Sequence, residues 1–205
     1  MSKLLLATNN QGKVREYRSL LDDLPLQLVT PAEAGITTVV DEVAESLEEN
    51  ARLKATALAA ESGLLALADD SGLEVDALGG EPGPLSARYA GKGASDRDRV
   101  SYLLSRLEGV PWEKRTARFR CVIALATPGG EVGVCSGECH GLITFDPRGE
   151  EGFGYDPIFY FPELGKTMAE LPLETKNQVS HRGHAARKVR QVLQRQPFVT
   201  FLRDA

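Results

Sequence analysis

The stretch LLALADDSGLEVDALGG, residues 64 to 80, decides the fold class of this 205-residue chain. Leu64 to Ala68 is a short apolar run that reads as a buried strand, ending in Asp69-Asp70-Ser71-Gly72, with a second strand predicted at Leu73 to Leu78. Two adjacent carboxylates are therefore expected at a strand end. Immediately upstream, Ser46 followed by Glu49 is a capping-box pattern. It opens a helix whose Leu47, Ala51, Ala55, Leu58 and Ala59 share one face before Gly63 stops it. A helix leading into a buried strand is the repeating unit of an α/β protein.

Working outward, residues 3 to 7 (KLLLA) read as another short buried strand. A polar turn through Gly12 follows, then Val14, Tyr17, Leu20, Leu21 and Leu24 at helical spacing. Pro25 and Pro31 punctuate the next segment, where Leu26, Leu28 and Val39-Val40 supply short extended pieces. Downstream, GGEPGP at 79 to 84 is a loop, and Ser95 with Asp98 caps a helix carrying Val100, Leu103, Leu104 and Leu107. Ala117 to Thr127 and Glu131 to Ser136 flank Pro128-Gly129-Gly130 as an antiparallel hairpin, with a third strand predicted at Leu142 to Phe145. The last helix runs from about Ser180 to Gln194, with Ala185, Val189, Val192 and Leu193 inward. The sum is an α/β fold on a mixed sheet. No internal repeat or Ser/Gly-rich linker divides it, so residues 1–205 are expected to form a single domain.

Composition narrows the function classes. With 42% hydrophobic and 26% charged residues the chain has ordinary globular composition, long enough to bury a core without disulfides. Its apolar runs fall far short of the roughly 20 residues that cross a bilayer, and the N-terminus lacks the apolar core and cleavage site of a signal peptide. No membrane association and a cytoplasmic location are expected. The three cysteines fit reduced thiols. Cys135, Cys139 and His140 lack the further ligand that a zinc site needs. A net charge of −5 argues against broad binding to nucleic-acid backbones. The charge is uneven: Asp41, Glu42, Glu45, Glu48 and Glu49 crowd one segment, and Arg182, Arg187, Lys188, Arg190 and Arg195 another.

Four features carry chemistry. TNNQGK, Thr8 to Lys13, is a polar strand-to-helix turn in which Asn9, Asn10 and Lys13 add donors and a positive charge to a helix N-terminus, a setting that favours phosphates. It is not a P-loop, because the first glycine of that motif is missing and Val14 follows the lysine. The second feature is acidic, Asp69-Asp70 at a strand end with Glu42 and Glu45 just before the capped helix; the two adjacent carboxylates suit magnesium, a hard cation held through one or two carboxylates, waters and substrate phosphates. FGYDP, residues 153 to 157, offers the flat faces of Phe153 and Tyr155 and the acceptor Asp156 to a purine. Lys176 with Ser180-His181-Arg182 is a basic cluster at another helix start. Each feature also has a plain structural reading, as a cap, a solvated face or a packed aromatic.

In this order, TNNQGK, ENARLKA at 49 to 55, ADDSGLEVDALGG at 68 to 80, SARYAG at 86 to 91, FGYDP and SHR at 180 to 182 make the chain resemble the inosine- and xanthosine-triphosphate pyrophosphatase family. The resemblance spans roughly residues 3 to 195. One departure stands before ENA, where EVAESLE replaces the family's common glycine and Thr-Phe pair; alignment puts Glu42 at the metal position, with Glu45 the alternative.

The resemblance implies an elongated, twisted mixed sheet with flanking helices in two lobes around a central substrate cleft, and a homodimer. It implies hydrolysis of ITP, dITP and XTP between the α- and β-phosphates, releasing a nucleoside monophosphate and pyrophosphate. Magnesium would sit on Asp70 with Glu42 and Asp69. Asp70 matches the proton-acceptor position, and its two duties as base and metal ligand stay open. Thr8, Asn9, Asn10, Lys13, Ser71 and Lys176 would hold the substrate's phosphate side. Phe153, within Phe153-Gly154-Tyr155-Asp156, would stack on the base, and the His181-Arg182 region would donate to its 6-oxo group. Such donors would be left unpaired by adenine's amino group, so ATP is rejected. A non-catalytic nucleotide-binding protein using the same residues is the competing reading, and pyrophosphatases of modified pyrimidine or methylated nucleotides are a third.

Overall fold

A computed structural model describes residues 2–40, 44–195 and 198. Its strands and helices, in chain order, are β1 Ser2–Leu6, α1 Gln11–Leu20, β2 Leu26–Val29, α2 Leu47–Ser62, β3 Leu65–Val75, β4 Pro82–Gly83, α3 Asp96–Arg106, β5 Thr116–Ala126, β6 Val132–Ile143, β7 Phe159–Phe161, β8 Lys166–Thr167, α4 Leu173–Val179 and α5 His181–Leu193. The sheet order is β2-β1-β3-β5-β6-β7-β8, with β4 paired to β3. Strands β2, β1 and β3 are parallel, Leu4 standing opposite both Leu28 and Leu65. Parallel neighbours need crossover connections, and α1 and α2 provide them. β6, β7 and β8 are antiparallel. The sheet is mixed and open, as the α/β reading required.

The chain divides into two compact units. The first comprises Met1–Asp70, Cys121–Gly137 and Arg182–Ala205; the second comprises Ser71–Arg120 and Glu138–His181. In the first unit the side-chain alternation of the strands makes two cores. Leu4, Leu6, Leu65, Leu67, Cys121, Ile123 and Leu125 pack with Val14, Tyr17 and Leu20 of α1 and Ala185 and Val189 of α5. Leu5, Ala66, Ala68, Val122, Ala124 and Ala126 pack with Leu47, Ala51, Ala55 and Leu58 of α2. Both faces are covered, which is why these strands read as unbroken apolar runs.

In the second unit one core joins Leu73, Val75, Ala117, Phe119, Cys139 and Ile143 to Val100 and Leu103 of α3. The opposite side of the same strands carries Glu74, which pairs with Arg118 at 2.6 Å and Arg120 at 3.0 Å. One face is apolar and the other polar, the alternation expected of a sheet covered on one side.

Several expectations change. The strands placed at 64–68 and 73–78 are one strand, β3, so Asp69 and Asp70 lie inside it rather than at its end. Gly72 allows this continuity, because a Cβ there would fall 2.3 Å from the Gly83 carbonyl oxygen of the neighbouring strand. Likewise the strands placed at 131–136 and 142–145 are one strand, β6, in which buried and exposed residues alternate straight through Gly137. Val39-Val40 forms no strand, and the helix expected from Ser180 is preceded by a separate one, α4, with Ser180 extended between them. The three cysteines are buried free thiols, with Cys135 on a strand as read.

Candidate active site

The parity of β3 organises the first unit's site. Leu65, Leu67 and Asp69 fall on the α1/α5 face, and Ala66, Ala68 and Asp70 on the α2 face, because successive strand residues point to opposite sides. Adjacent in sequence, the two carboxylates have separate partners.

Asp69 is fully buried. Its Oδ1 is 2.9 Å from Lys13 Nζ and its Oδ2 is 3.1 Å from Arg182 Nε. Burial alone would push its carboxyl up, but Lys13, Arg182 and Lys54 together hold it below the usual carboxylate range. On the other side, Asp70 Oδ2 accepts a hydrogen bond from Asn50 Nδ2 at 3.0 Å, and Asp70 Oδ1 is 3.7 Å from Lys54 Nζ. Lys54 also donates to the Asp69 carbonyl at 2.7 Å. The two carboxylates thus sit on opposite faces of β3, Asp69 between the cations Lys13 and Arg182 and Asp70 beside Asn50 and Lys54.

Asn50 and Lys54 were not singled out in the sequence, although ENARLKA contains both. The signal was present: Leu47, Asn50, Ala51, Lys54, Ala55 and Leu58 form one buried helical stripe, and Asn50 and Lys54 are polar members of it. A buried amide and a buried ammonium on an apolar stripe need partners, and Asp70 supplies them. The helix itself starts as expected, Ser46 accepting from Glu49 N–H at 3.2 Å.

The Thr8–Lys13 segment follows β1 at its carboxyl end, the end at which parallel sheets place ligand sites. Asn10 caps α1 by accepting from Lys13 N–H at 3.1 Å, and Thr8 Oγ1 accepts from Asn10 N–H at 3.1 Å. Thr8 and Asn10 thus shape the backbone of the turn, while Asn9 is exposed. Lys13 reaches from the first turn of α1 to Asp69. No acidic residue occupies that first turn, so the positive end of the helix dipole is not offset locally.

In the second unit the FGYDP loop is built around a buried ion pair between Asp156 and Lys176. Asp156 Oδ2 also accepts from Phe153 N–H at 2.8 Å, and Lys176 Nζ lies 5.0 Å from the centroid of the Phe153 ring. Gly152 is required here, since a Cβ would fall 2.0 Å from Asp156 Oδ2. Gly154 N–H donates to Asp96 Oδ2 at 2.7 Å. Tyr155 is buried and its hydroxyl donates to the Ser86 carbonyl at 2.9 Å, so it serves as a core anchor rather than a flat face offered to a base. Ser71, half-buried, opens this unit's part of β3.

His181 and Arg182 do not act as one cluster. His181, buried, stacks on Phe119 with centroids 4.6 Å apart and 11° between planes, and its Nδ1 is 4.0 Å from Cys139 Sγ. Arg182 belongs to the first unit, where Nη1 lies 2.6 Å from Glu16 Oε2 and Nε holds Asp69. Two of its nitrogens are engaged by carboxylates. Neighbouring residues at a helix start diverge, and only the tertiary structure shows it.

Glu42 lies outside the described residues, and Glu45 is exposed just before α2. Among the described residues no group of three His, Cys, Asp or Glu side chains is arranged to hold a metal. One carboxylate, Asp70, beside amide and ammonium donors, fits a hard cation bound mostly through water and phosphate oxygens; it does not fit zinc or a dedicated calcium cage.

The model of the Ham1 family matches residues 4–192. The dITP/XTP pyrophosphatase of Geobacter sulfurreducens is 55% identical over 185 residues, covering 90% of this chain and 93% of that one. That of Thermus thermophilus is 53% identical, covering 90% and 88%. Among solved structures, a HAM1 protein from Coxiella burnetii superposes with a TM-score of 0.84 at 42% identity, covering 94% of this chain and 98% of that one. The Staphylococcus aureus Ham1 protein gives a TM-score of 0.82 at 42% identity over the same shares. With its motifs in family order and a match over nearly its whole length, this chain belongs to the Ham1 family.

Proposed function

We propose that this protein hydrolyses dITP, ITP and XTP to the nucleoside monophosphate and pyrophosphate. The observation that carries the reading is the division of Asp69 from Asp70, which leaves Asp70 facing Asn50 and Lys54 in a site built for anions and their counter-ions. Asp70 orients the attacking water and accepts its proton, Asn50 holds the carboxylate in place, and Lys54 and Lys13 offset negative charge on the phosphates. The backbone turn shaped by Thr8 and Asn10, with Asn9 at its surface, brings the N-terminus of α1 to the same phosphates.

Magnesium is the cofactor we assign, with Asp70 as its described ligand and Glu42 or Glu45 as the second. Held there, the ion would supply charge neutralisation at the phosphates and activation of water. Asp69 positions Lys13 and does not ligate. On the base side Phe153 stacks on the purine, with its loop held by Gly154, Asp156 and Lys176, while Ser71 contributes a hydroxyl and Tyr155 supports from the core. His181 donates to the 6-oxo group, which discriminates against adenine but not guanine.

The test is an assay of ITP, dITP, XTP, ATP and GTP in magnesium with product identification. Pyrophosphate released chiefly from the first three is expected. Orthophosphate as the first product, or equal turnover of all five, overturns the reading, and tight binding without turnover in magnesium transfers it to a nucleotide-binding role. We assign the protein to the cytoplasm, as a homodimer whose mass light scattering measures. No described helix is long and apolar enough to cross a membrane.

A further inference from the structure

Among the buried charged residues of the first unit, Glu16 has no part in the chemistry above. Glu16 lies on the same face of α1 as Lys13, Tyr17 and Leu20, spaced three, four and seven residues from Lys13. It is 1% exposed, and its Oε2 lies 2.6 Å from Arg182 Nη1. Arg182, equally buried, turns Nε to Asp69 Oδ2 at 3.1 Å, and Asp69 Oδ1 meets Lys13 Nζ at 2.9 Å. Four groups of alternating sign thus run from α1 to α5 to β3 and back to α1. Apolar side chains would fill this space without the desolvation cost that two buried carboxylates and a buried guanidinium carry. What the charged series supplies instead is position.

We propose that Glu16 is a positioning residue for the triphosphate: by engaging one arm of Arg182 it keeps Asp69 shared between Arg182 and Lys13, and so fixes where the Lys13 ammonium stands. The physical step is a competition. A guanidinium is a planar fork that pairs two nitrogens with one carboxylate when it can. With Glu16 neutralised, Arg182 turns that fork onto both oxygens of Asp69, and Lys13 loses the oxygen that holds it. The effect reaches substrate only through Lys13, so the proposal rests on Lys13 binding phosphate.

A double-mutant cycle tests this, using pyrophosphate release from XTP by the full chain, with Glu16→Gln, Glu16→Asp, Lys13→Ala and the Lys13→Ala/Glu16→Gln pair. Glu16→Gln is expected to raise KM about tenfold while kcat changes less than about threefold, as loss of binding shared by ground and transition states does. Glu16→Asp, which keeps the charge, recovers part of that loss. In the Lys13→Ala background Glu16→Gln adds no further rise in KM, the non-additivity of residues acting through one another. If Glu16→Gln does not fold, Glu16→Asp carries the cycle. Unchanged KM with only a lower melting temperature, or additive effects in the pair, overturns the positioning role and leaves the pyrophosphatase reading standing. A wild-type protein that releases no pyrophosphate overturns that reading, and the proposal with it.

Discussion

The two compact units use the same sheet under different rules. In the first, helices cover both faces, so every side chain of β3 up to Asp70 is buried and each charge needs a partner on its own side. In the second, one face packs on α3 and the other presents Glu74, Arg118 and Arg120, whose ion pairs are half in water. The difference teaches where chemistry can be built into strands. A doubly covered strand gives two adjacent aspartates two distinct surroundings, whereas a singly covered one leaves the residues we propose for the base, Phe153 to Asp156, to its loops.

The comparison can be broken in order of effect. Asp70→Asn is expected to lower kcat by about a thousandfold or more, with circular dichroism unchanged, because it removes the carboxylate we propose as proton acceptor and magnesium ligand. Near-normal turnover would mean that the α2 face is not the reacting face. Next, Leu67→Ala should cost about 2–5 kcal/mol in chemical unfolding, as a fully buried leucine does. Arg118→Ala, on the open face, should cost no more than about 1 kcal/mol. Equal costs would erase the distinction between the units. Phe153→Ala should raise KM for XTP about tenfold or more, since stacking a base on an aromatic ring contributes about 1–3 kcal/mol.

The effect that is smallest near neutral pH, and grows only in alkali, concerns the thiols. Burial pushes the thiols of Cys121 and Cys139 up to about 12, aided for Cys121 by the Asp69 carboxylate. In the unfolded chain such thiols ionise near about 8.5. Their folded pKa is raised, so their contribution to stability is complete below the unfolded value and is lost as pH climbs toward the folded one. Each thiol should lower unfolding free energy by about 1.4 kcal/mol per pH unit across that window. Urea midpoints measured from pH 7 to 11 check this, and a Cys121→Ala/Cys139→Ala variant should show a shallower alkaline decline.

Much of the fold was legible because apolar spacing reports burial directly. Helices α1, α2 and α3 and strand β1 follow from it, and so does the mixed sheet. Glycine misled the reading at Gly72, where a missing side chain looked like the end of a strand and was instead room for it to continue. In the site, Lys13, Asp70 and Phe153 stood out as chemistry in a motif. Asn50, Lys54 and Glu16 did not, because a polar residue on a buried stripe looks like a surface residue until the stripe is drawn.

What the sequence by itself determined is the family of elements and the set of reactive groups, since periodicity and side-chain type are local properties. What only the tertiary structure decided is their pairing. Asp69 and Asp70 are neighbours along the chain, yet strand geometry sends one toward Lys13 and Arg182 and the other toward Asn50 and Lys54. His181 and Arg182 diverge in the same way, one onto Phe119 and the other onto Glu16 and Asp69. Adjacency in sequence fixes a distance of one residue; the direction of each side chain is set by the backbone and by what packs against it.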